Sequence, residues 1–187
     1  EFLQERVEVL GFVDGKKSLD WLNECGCKNI NLLCKGSLSH CLYQLKKQPE
    51  EHIDDIRRSI DYADKLGIGV NVYLEDWSGG MKESSDYVYQ MVDALSKEHI
   101  KRFMLPDTLG ILNPLNVIKY MRKMVKRYRD LHFDFHAHND YDLAISNVLA
   151  AVLSGCKGIH STINGLGERA GNAPLASVQA ILHDQFN

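Results

Sequence analysis

Proline is scarce, with four in 187 residues, and no low-complexity tract interrupts the chain, so collagenous and proline-rich extended architectures are excluded. No apolar run approaches the roughly 20 residues that span a bilayer. Neither sign of charge dominates: 22 Lys+Arg stand against 25 Asp+Glu, a net charge of -3, and no basic run is long enough to follow a phosphate backbone. Nucleic acid and membrane surfaces are therefore not expected partners. The first residues, Glu1 to Glu8, lack the basic flank and apolar segment of a signal peptide, which gives a cytoplasmic expectation. Cysteine is present in an odd number, five, scattered through apolar or helical contexts, so a disulfide framework is not expected. Cys25-Gly26-Cys27 has no second cysteine pair with which to build a metal site, and reads as a helix end followed by a turn.

What is present is an ordinary globular composition, 44% hydrophobic and 25% charged. A chain of this length buries roughly 70% of the surface its unfolded form exposes, enough for one sizeable core. Short apolar runs recur at Val7 to Val13, Ile30 to Leu33, Ile68 to Leu74, Arg102 to Leu105, His132 to His136 and Gly158 to Ile163, each the length of a strand. Helical stripes lie between them. Ile53, Ile56, Ile60, Ala63 and Leu66 follow Pro49 and stop at Gly67; Tyr87, Val88, Met91, Val92 and Leu95 form a second. Asn113-Pro114 pairs an N-cap with proline at the first helical position, opening a helix through Leu115, Ile118, Met121, Val125 and Tyr128. Ile145, Val148, Leu149, Val152 and Leu153 end at Gly155, and shorter helices are expected over Ser18 to Cys25, Leu38 to Leu45 and Leu175 to Leu182.

Strand and helix thus alternate six times, which demands a parallel sheet covered by helices, either doubly wound or a (β/α)8 barrel. A dinucleotide or phosphate-loop sheet carries a glycine-rich turn after an early strand, and none is present. The polar residues decide for the TIM barrel. Glu75-Asp76, Asp107-Thr108, His136-Ala137-His138-Asn139-Asp140 and Asn164 all fall at carboxyl ends of successive strands, where barrel active sites are built.

His136 and His138, two apart on a strand, project from one face and can share a metal ion, although two hydrogen-bonded strand-end histidines fit the same pattern. Further ligands must come from elsewhere. Asn172 is one candidate and is equally readable as the cap of a helix opening at Ala173-Pro174. Glu75 shares a strand face with Tyr73, so an acid stands beside an aromatic wall that favours general-base chemistry; a solvated strand-end glutamate is the bland alternative. Asp107 and Thr108 either order a substrate carboxylate or shape a turn. Leu10, Leu33 and Tyr73, near the ends of adjacent strands, make a small apolar pocket if they face the barrel mouth. The glycine cluster Gly165-Leu166-Gly167-Glu168-Arg169-Ala170-Gly171-Asn172 carries a charged pair in its middle and reads as a shaped loop where backbone approaches a ligand.

His136-Ala137-His138-Asn139-Asp140, Thr162-Ile163-Asn164-Gly165-Leu166-Gly167-Glu168-Arg169-Ala170-Gly171-Asn172 and Pro106-Asp107-Thr108-Leu109-Gly110 together resemble the signature of the α-isopropylmalate, homocitrate and citramalate synthase family. That family consists of barrel enzymes related to 3-hydroxy-3-methylglutaryl-CoA lyase. Gly11 to Gly15 and Tyr73-Leu74-Glu75-Asp76-Trp77 are more similar to the citramalate branch. The resemblance implies a Claisen-type condensation of acetyl-CoA with an α-keto acid, then thioester hydrolysis, in branched-chain amino-acid biosynthesis. It assigns His136, His138 and Asn172 to a divalent metal (Zn, Mn or Mg), Glu75 to acid-base work, and Thr108 to the keto-acid carboxylate. Leu10, Leu33 and Tyr73 line the pocket for the keto acid's side chain, and their bulk favours pyruvate, giving (R)-citramalate, over 2-oxoisovalerate, giving 2-isopropylmalate. It also implies a homodimer. The loop lacks the cysteine of the lyase branch, which favours a synthase.

No segment matches the family's Asp-Thr-x-x-Arg-Asp-Gly first strand, so the six units are expected to be the third to eighth of the barrel. The 187 residues are expected to form a partial catalytic domain, without the first two strands and without the C-terminal regulatory region. The opening on Glu1 rather than Met fits that expectation. Two other classes compete: a non-catalytic barrel remnant used for binding or assembly, and a metal-dependent hydrolase, which wants its His-x-His on the first strand.

Overall fold

The computed structural model describes residues 6–186. Six strands, β1 (Glu8–Phe12), β2 (Asn29–Lys35), β3 (Gly69–Glu75), β4 (Ile100–Asp107), β5 (Phe133–Ala137) and β6 (Gly158–His160), form one parallel sheet in chain order. Helices α1 (Lys17–Glu24), α2 (Pro49–Leu66), α3 (Trp77–Glu83), α4 (Ser85–Leu95), α5 (Pro114–Arg127) and α6 (Ala144–Leu153) provide the crossovers that parallel strands require, and α7 (Leu175–Phe186) follows the last strand. Among the described residues no helix is long and apolar enough to cross a membrane.

Local signals explain the best-placed helices. Pro49 opens α2 while the Gln48 N–H donates to the Glu51 carboxylate at 2.8 Å. Gly67, at φ 68°, ends it in a left-handed turn that an L side chain resists. At α5 the Asn113 side chain accepts the Asn116 N–H at 2.9 Å, and Lys126 and Arg127 meet the negative end of the helix dipole.

The structure departs from the sequence reading in three places. The helix expected over Leu38 to Leu45 is present over residues 38–44, but only its first two residues are α-helical and the rest is a π-helical turn, His40–Gln44. Helix α3 was hidden by Gly79-Gly80, a poor helix pair. Gly80 is required because a Cβ there would collide with the Gly36 carbonyl. The sixth strand stops at His160 rather than Ile163, because Thr162 leaves the sheet, donating its N–H to Ala173 at 3.1 Å and accepting from Leu175 at 2.9 Å.

The chain clusters into two compact units. The first comprises the described residues up to Glu75 together with Gly79–Phe103. There β1 pairs with β2 and β2 with β3, placing Phe12 opposite Leu33 and Leu33 opposite Tyr73, with Lys35 opposite Glu75 at the strand ends. Ile30, Leu32, Val70, Val72 and Leu74 are buried beneath the α2 stripe of Ile53, Ile56, Ile60 and Ala63, and α4 adds Val88, Met91 and Leu95.

The second unit comprises Asp76–Ser78 and the chain from Met104 onward. Trp77, fully buried, meets Tyr120 and Phe135 edge-on with centroids 6.5 and 6.4 Å away. Phe133, Asp134 and Phe135 are buried in succession, as expected of a strand covered on both faces.

Candidate metal and substrate site

In the second unit, period-2 alternation along β5 sends Asp134 and His136 to one face, and His138 follows just beyond the strand end. The two imidazoles meet through their Nε2 atoms, 3.3 Å apart. A backbone bridge joins His138 to Asn172, drawing the glycine loop alongside. Asn172 is not the cap of α7, which begins three residues later at Leu175. Instead its N–H donates to Gly165 at 2.9 Å and its Nδ2 to the Leu166 carbonyl at 3.3 Å, which fixes the orientation of the amide. Asn172 Oδ1 and His138 Nδ1 are left buried with no hydrogen-bond partner.

A buried acceptor without a donor is costly, of order 1 to 3 kcal/mol, unless another group satisfies it. A cation does so. Two nitrogens bound to one ion at about 2.1 Å stand roughly 3.0 to 3.4 Å apart for right-angle to tetrahedral geometry, which matches the His136 to His138 separation of 3.3 Å. Metal ligation also needs neutral imidazole. Burial, then the neighbouring His160 and His138, push His136 down to about 3, with the Asn172 amide opposing weakly. Burial and then Arg169 lower His138, against Asp140 and Glu168. The donor set fits a divalent cation as two imidazoles and an amide oxygen. Among the described residues no cluster of three or more His, Cys, Asp or Glu side chains has metal-holding geometry.

Sequence reasoning missed the groups behind this pair. His160, opposite His136 in the β5 to β6 register, lays its ring 5.6 Å from that of His136. Its Nε2 meets the buried Asp134 carboxylate at 3.2 Å, and His132 meets the other oxygen at 2.8 Å. The carboxylate sits where a Cβ on Gly158 would be. A register drawn between the fifth and sixth strands brings His136 and His160 together, but the sequence does not fix that register.

Thr108 and Asp107 divide their work. The Asp107 carboxylate accepts the N–H groups of Ile111 and Leu112 at 3.1 and 3.0 Å and shapes the turn. Thr108 Oγ1 accepts the Asp76 N–H at 2.8 Å. The Thr108 carbonyl accepts from Arg169 at 2.9 Å, and the same guanidinium forks onto Asp140 at 2.7 and 2.8 Å.

The remaining candidates lie in the first unit. Glu75 faces more than the Tyr73 wall: its carboxylate is paired with the Lys35 ammonium, a partner the strand alternation placed on that face but the sequence reading overlooked. The Lys35 backbone is gripped on both sides, its N–H donating to His52 Nε2 and its carbonyl accepting from the Tyr87 hydroxyl, each at 3.0 Å. Leu33 and Tyr73 are cross-strand neighbours; Leu10 lies one pleat away, opposite Asn31, and is 52% exposed. Leu33 lines a cavity of about 180 Å³ with Phe12, Val13, Leu45, Lys35 and His52 among its walls.

His52 yields a prediction. Burial, reinforced by Lys47 and Lys35 against Asp55, pushes it down to about 4. A histidine depressed below its unfolded value near 6.5 stabilises the fold fully above that value, and the stabilisation is lost as pH falls towards 4, about 3 kcal/mol in all. The urea midpoint is expected to fall between pH 7 and pH 4.5, and to fall less in His52→Gln, which keeps an acceptor for Lys35 but does not titrate. Parallel pH profiles for the two proteins would contradict this.

A family model described as HMGL-like matches residues 9–186. A 2-isopropylmalate synthase of Sulfurisphaera tokodaii is 32% identical over 179 residues, covering 95% of this chain and 46% of that protein. A protein of Methanopyrus kandleri named as an (R)-citramalate synthase is 30% identical over 172 residues, 91% of this chain and 33% of its own length. The chain therefore spans less than half the length of these curated relatives. Among solved structures, an HMG-CoA lyase from Acinetobacter baumannii, in complex with coenzyme A and 3-methylmalate, matches with a TM-score of 0.79 at 20% identity, covering 94% of this chain and 60% of that one. The six units are part of a TIM barrel.

Proposed function

Because the chain belongs to the HMGL-like family, we propose that the whole protein condenses acetyl-CoA with a small α-keto acid and hydrolyses the resulting thioester. The six units are read as the third to eighth of its barrel. The observation that supports the reading is the pair of Nε2 atoms of His136 and His138, 3.3 Å apart, with the buried Asn172 amide bridged to His138 beside them. Those three residues would hold a divalent cation, which polarises a bound keto acid by Lewis-acid chemistry. Glu75 takes a proton from the acetyl methyl group, and the carbon so freed forms the new bond to the keto carbon while the carbonyl π pair moves onto oxygen, which takes up a proton to become the product's hydroxyl. Lys35 holds the Glu75 carboxylate in place and balances its charge. The Thr108 side chain receives the keto-acid carboxylate. Hydrolysis then separates free coenzyme A from the hydroxy-diacid product.

Pyruvate is the favoured keto acid, giving (R)-citramalate. Leu33 and Tyr73 stand side by side, and Phe12 flanks Leu33, so the wall is bulky. Each methylene a pocket refuses is worth roughly 1 to 3 kcal/mol of discrimination. The second reading, 2-oxoisovalerate, is favoured by the 32% identity to a 2-isopropylmalate synthase. Comparing kcat/KM for the two keto acids on the whole protein decides between them. Pyruvate is expected to lead by tenfold or more, and a lead for 2-oxoisovalerate refutes the pocket argument.

A further inference from the structure

We propose that Arg169 is a positioning residue, the latch that holds the glycine loop so that Asn172 presents its amide oxygen to His136 and His138. The proposal rests on the cation reading given above and adds to it a residue that touches neither the cation nor the substrates. Arg169 lies three residues before Asn172, at φ 53°, between Gly165 at φ 69° and Gly171 at φ 89°. Three left-handed residues within seven make a loop whose own backbone does not favour one shape, so something outside it must select the shape. Within the loop only short-range bonds act: Gly171 N–H to Glu168 at 2.8 Å and Asn172 N–H to Gly165 at 2.9 Å.

The outside holds are few. Asn139 donates its N–H to the Gly171 carbonyl at 3.0 Å. That bond belongs to the backbone bridge between His138 and Asn172, and Thr162 anchors the chain just beyond at Ala173. Arg169 supplies the side-chain hold, through Nε and Nη2 to the two oxygens of Asp140, and through Nη2 again to the Thr108 carbonyl. One planar group thereby ties the loop to the segments just beyond β4 and β5, where Thr108 and His138 lie. Asp140 is itself seated against Gly110, at φ 61°, where a Cβ would stand 2.5 Å from its carboxylate oxygen. The fork geometry matters more than the charge. A guanidinium presents parallel donors that fix both position and angle, whereas an ammonium of the same charge is a point that swivels. With 41% of the side chain exposed, the bridge adds little to overall stability, so its loss loosens the loop without unfolding the unit.

Charge and geometry predict opposite results, which makes the proposal testable. Arg169 sits close enough to His138 to act on it electrostatically. If only its positive charge mattered, Arg169→Gln would tighten cation binding and Arg169→Lys would leave it unchanged. The latch predicts that both variants of the full chain bind Mn(II) about 10- to 100-fold more weakly, the range seen when supporting partners of metal ligands are lost. Calorimetric titration of Mn(II) gives the affinities, and hydrogen exchange without metal gives the protection of the Asn172 N–H, expected to fall in both variants while the melting midpoint moves by only a few degrees. Unchanged affinity in Arg169→Lys, or tighter binding in Arg169→Gln, overturns the latch. If the unaltered chain takes up no Mn(II), the cation reading fails, and the exchange data alone decide: unchanged Asn172 protection overturns the latch, and faster exchange supports it.

Discussion

His138→Ala is expected to cost the chain its divalent-cation binding, a loss of more than about 100-fold in affinity, because one of only two imidazoles is removed and the amide oxygen of Asn172 cannot replace it. The side chain is buried, but it lies beyond the end of β5, outside the buried run Phe133–Phe135, so circular dichroism should remain that of the folded chain. Titration with Mn(II) or Zn(II) reads the affinity directly. The same experiment separates the condensing enzyme from a barrel remnant used only for assembly. A remnant has no reason to keep a cation site, so an unaltered chain that binds neither metal would support it. Retention of tight binding by His138→Ala would show that the cation, if bound, is held elsewhere.

The second large effect concerns Glu75. A positioned general base contributes typically 10²- to 10⁴-fold to a proton abstraction, and Glu75→Gln is expected to lower kcat of the whole protein by that factor, measured as release of coenzyme A thiol. The cation affinity should stay as it was, since the ligands belong to the second compact unit and Glu75 to the first. KM for acetyl-CoA should change little, because the amide is nearly isosteric with the carboxylate. A variant that turns over within tenfold of the parent would remove Glu75 from the reaction. Loss of cation binding together with turnover would assign it a structural role instead.

Much of the architecture could be read from the amino acids, and the reasons are local. The α2 stripe with Pro49 before it and Gly67 after it, and the Asn113-Pro114 opening of α5, are decided by side-chain spacing and backbone preference within a few residues. Strand-end placement of Glu75, Thr108 and His136 followed from the same alternation of strand and helix. What could not be read depends on contacts distant in sequence. Lys35 reaches Glu75 across 40 residues, His160 reaches Asp134 across 26, and Arg169 reaches Thr108 across 61. None carries a short-range signature, because each is an ordinary polar residue until the strand register is known. Helix α3 was missed for another reason. Gly80 weakens the helical pattern, and the need for it arises from the Gly36 carbonyl packed against it, not from the helix itself.

Gly158 has one more consequence, for how the sheet assembles. The Asp134 carboxylate occupies the space above this residue, and its chain neighbours are Lys157, just before β6, and Ile159 on it. Sliding β6 by a single position in either direction would bring a long side chain onto a buried, doubly hydrogen-bonded acid, and would turn His160 away from it. Parallel strands of only three residues have little hydrophobic pattern to hold them in line. The missing Cβ therefore acts as an index mark during folding, with one alignment of the last two strands accepted and the adjacent ones excluded by collision.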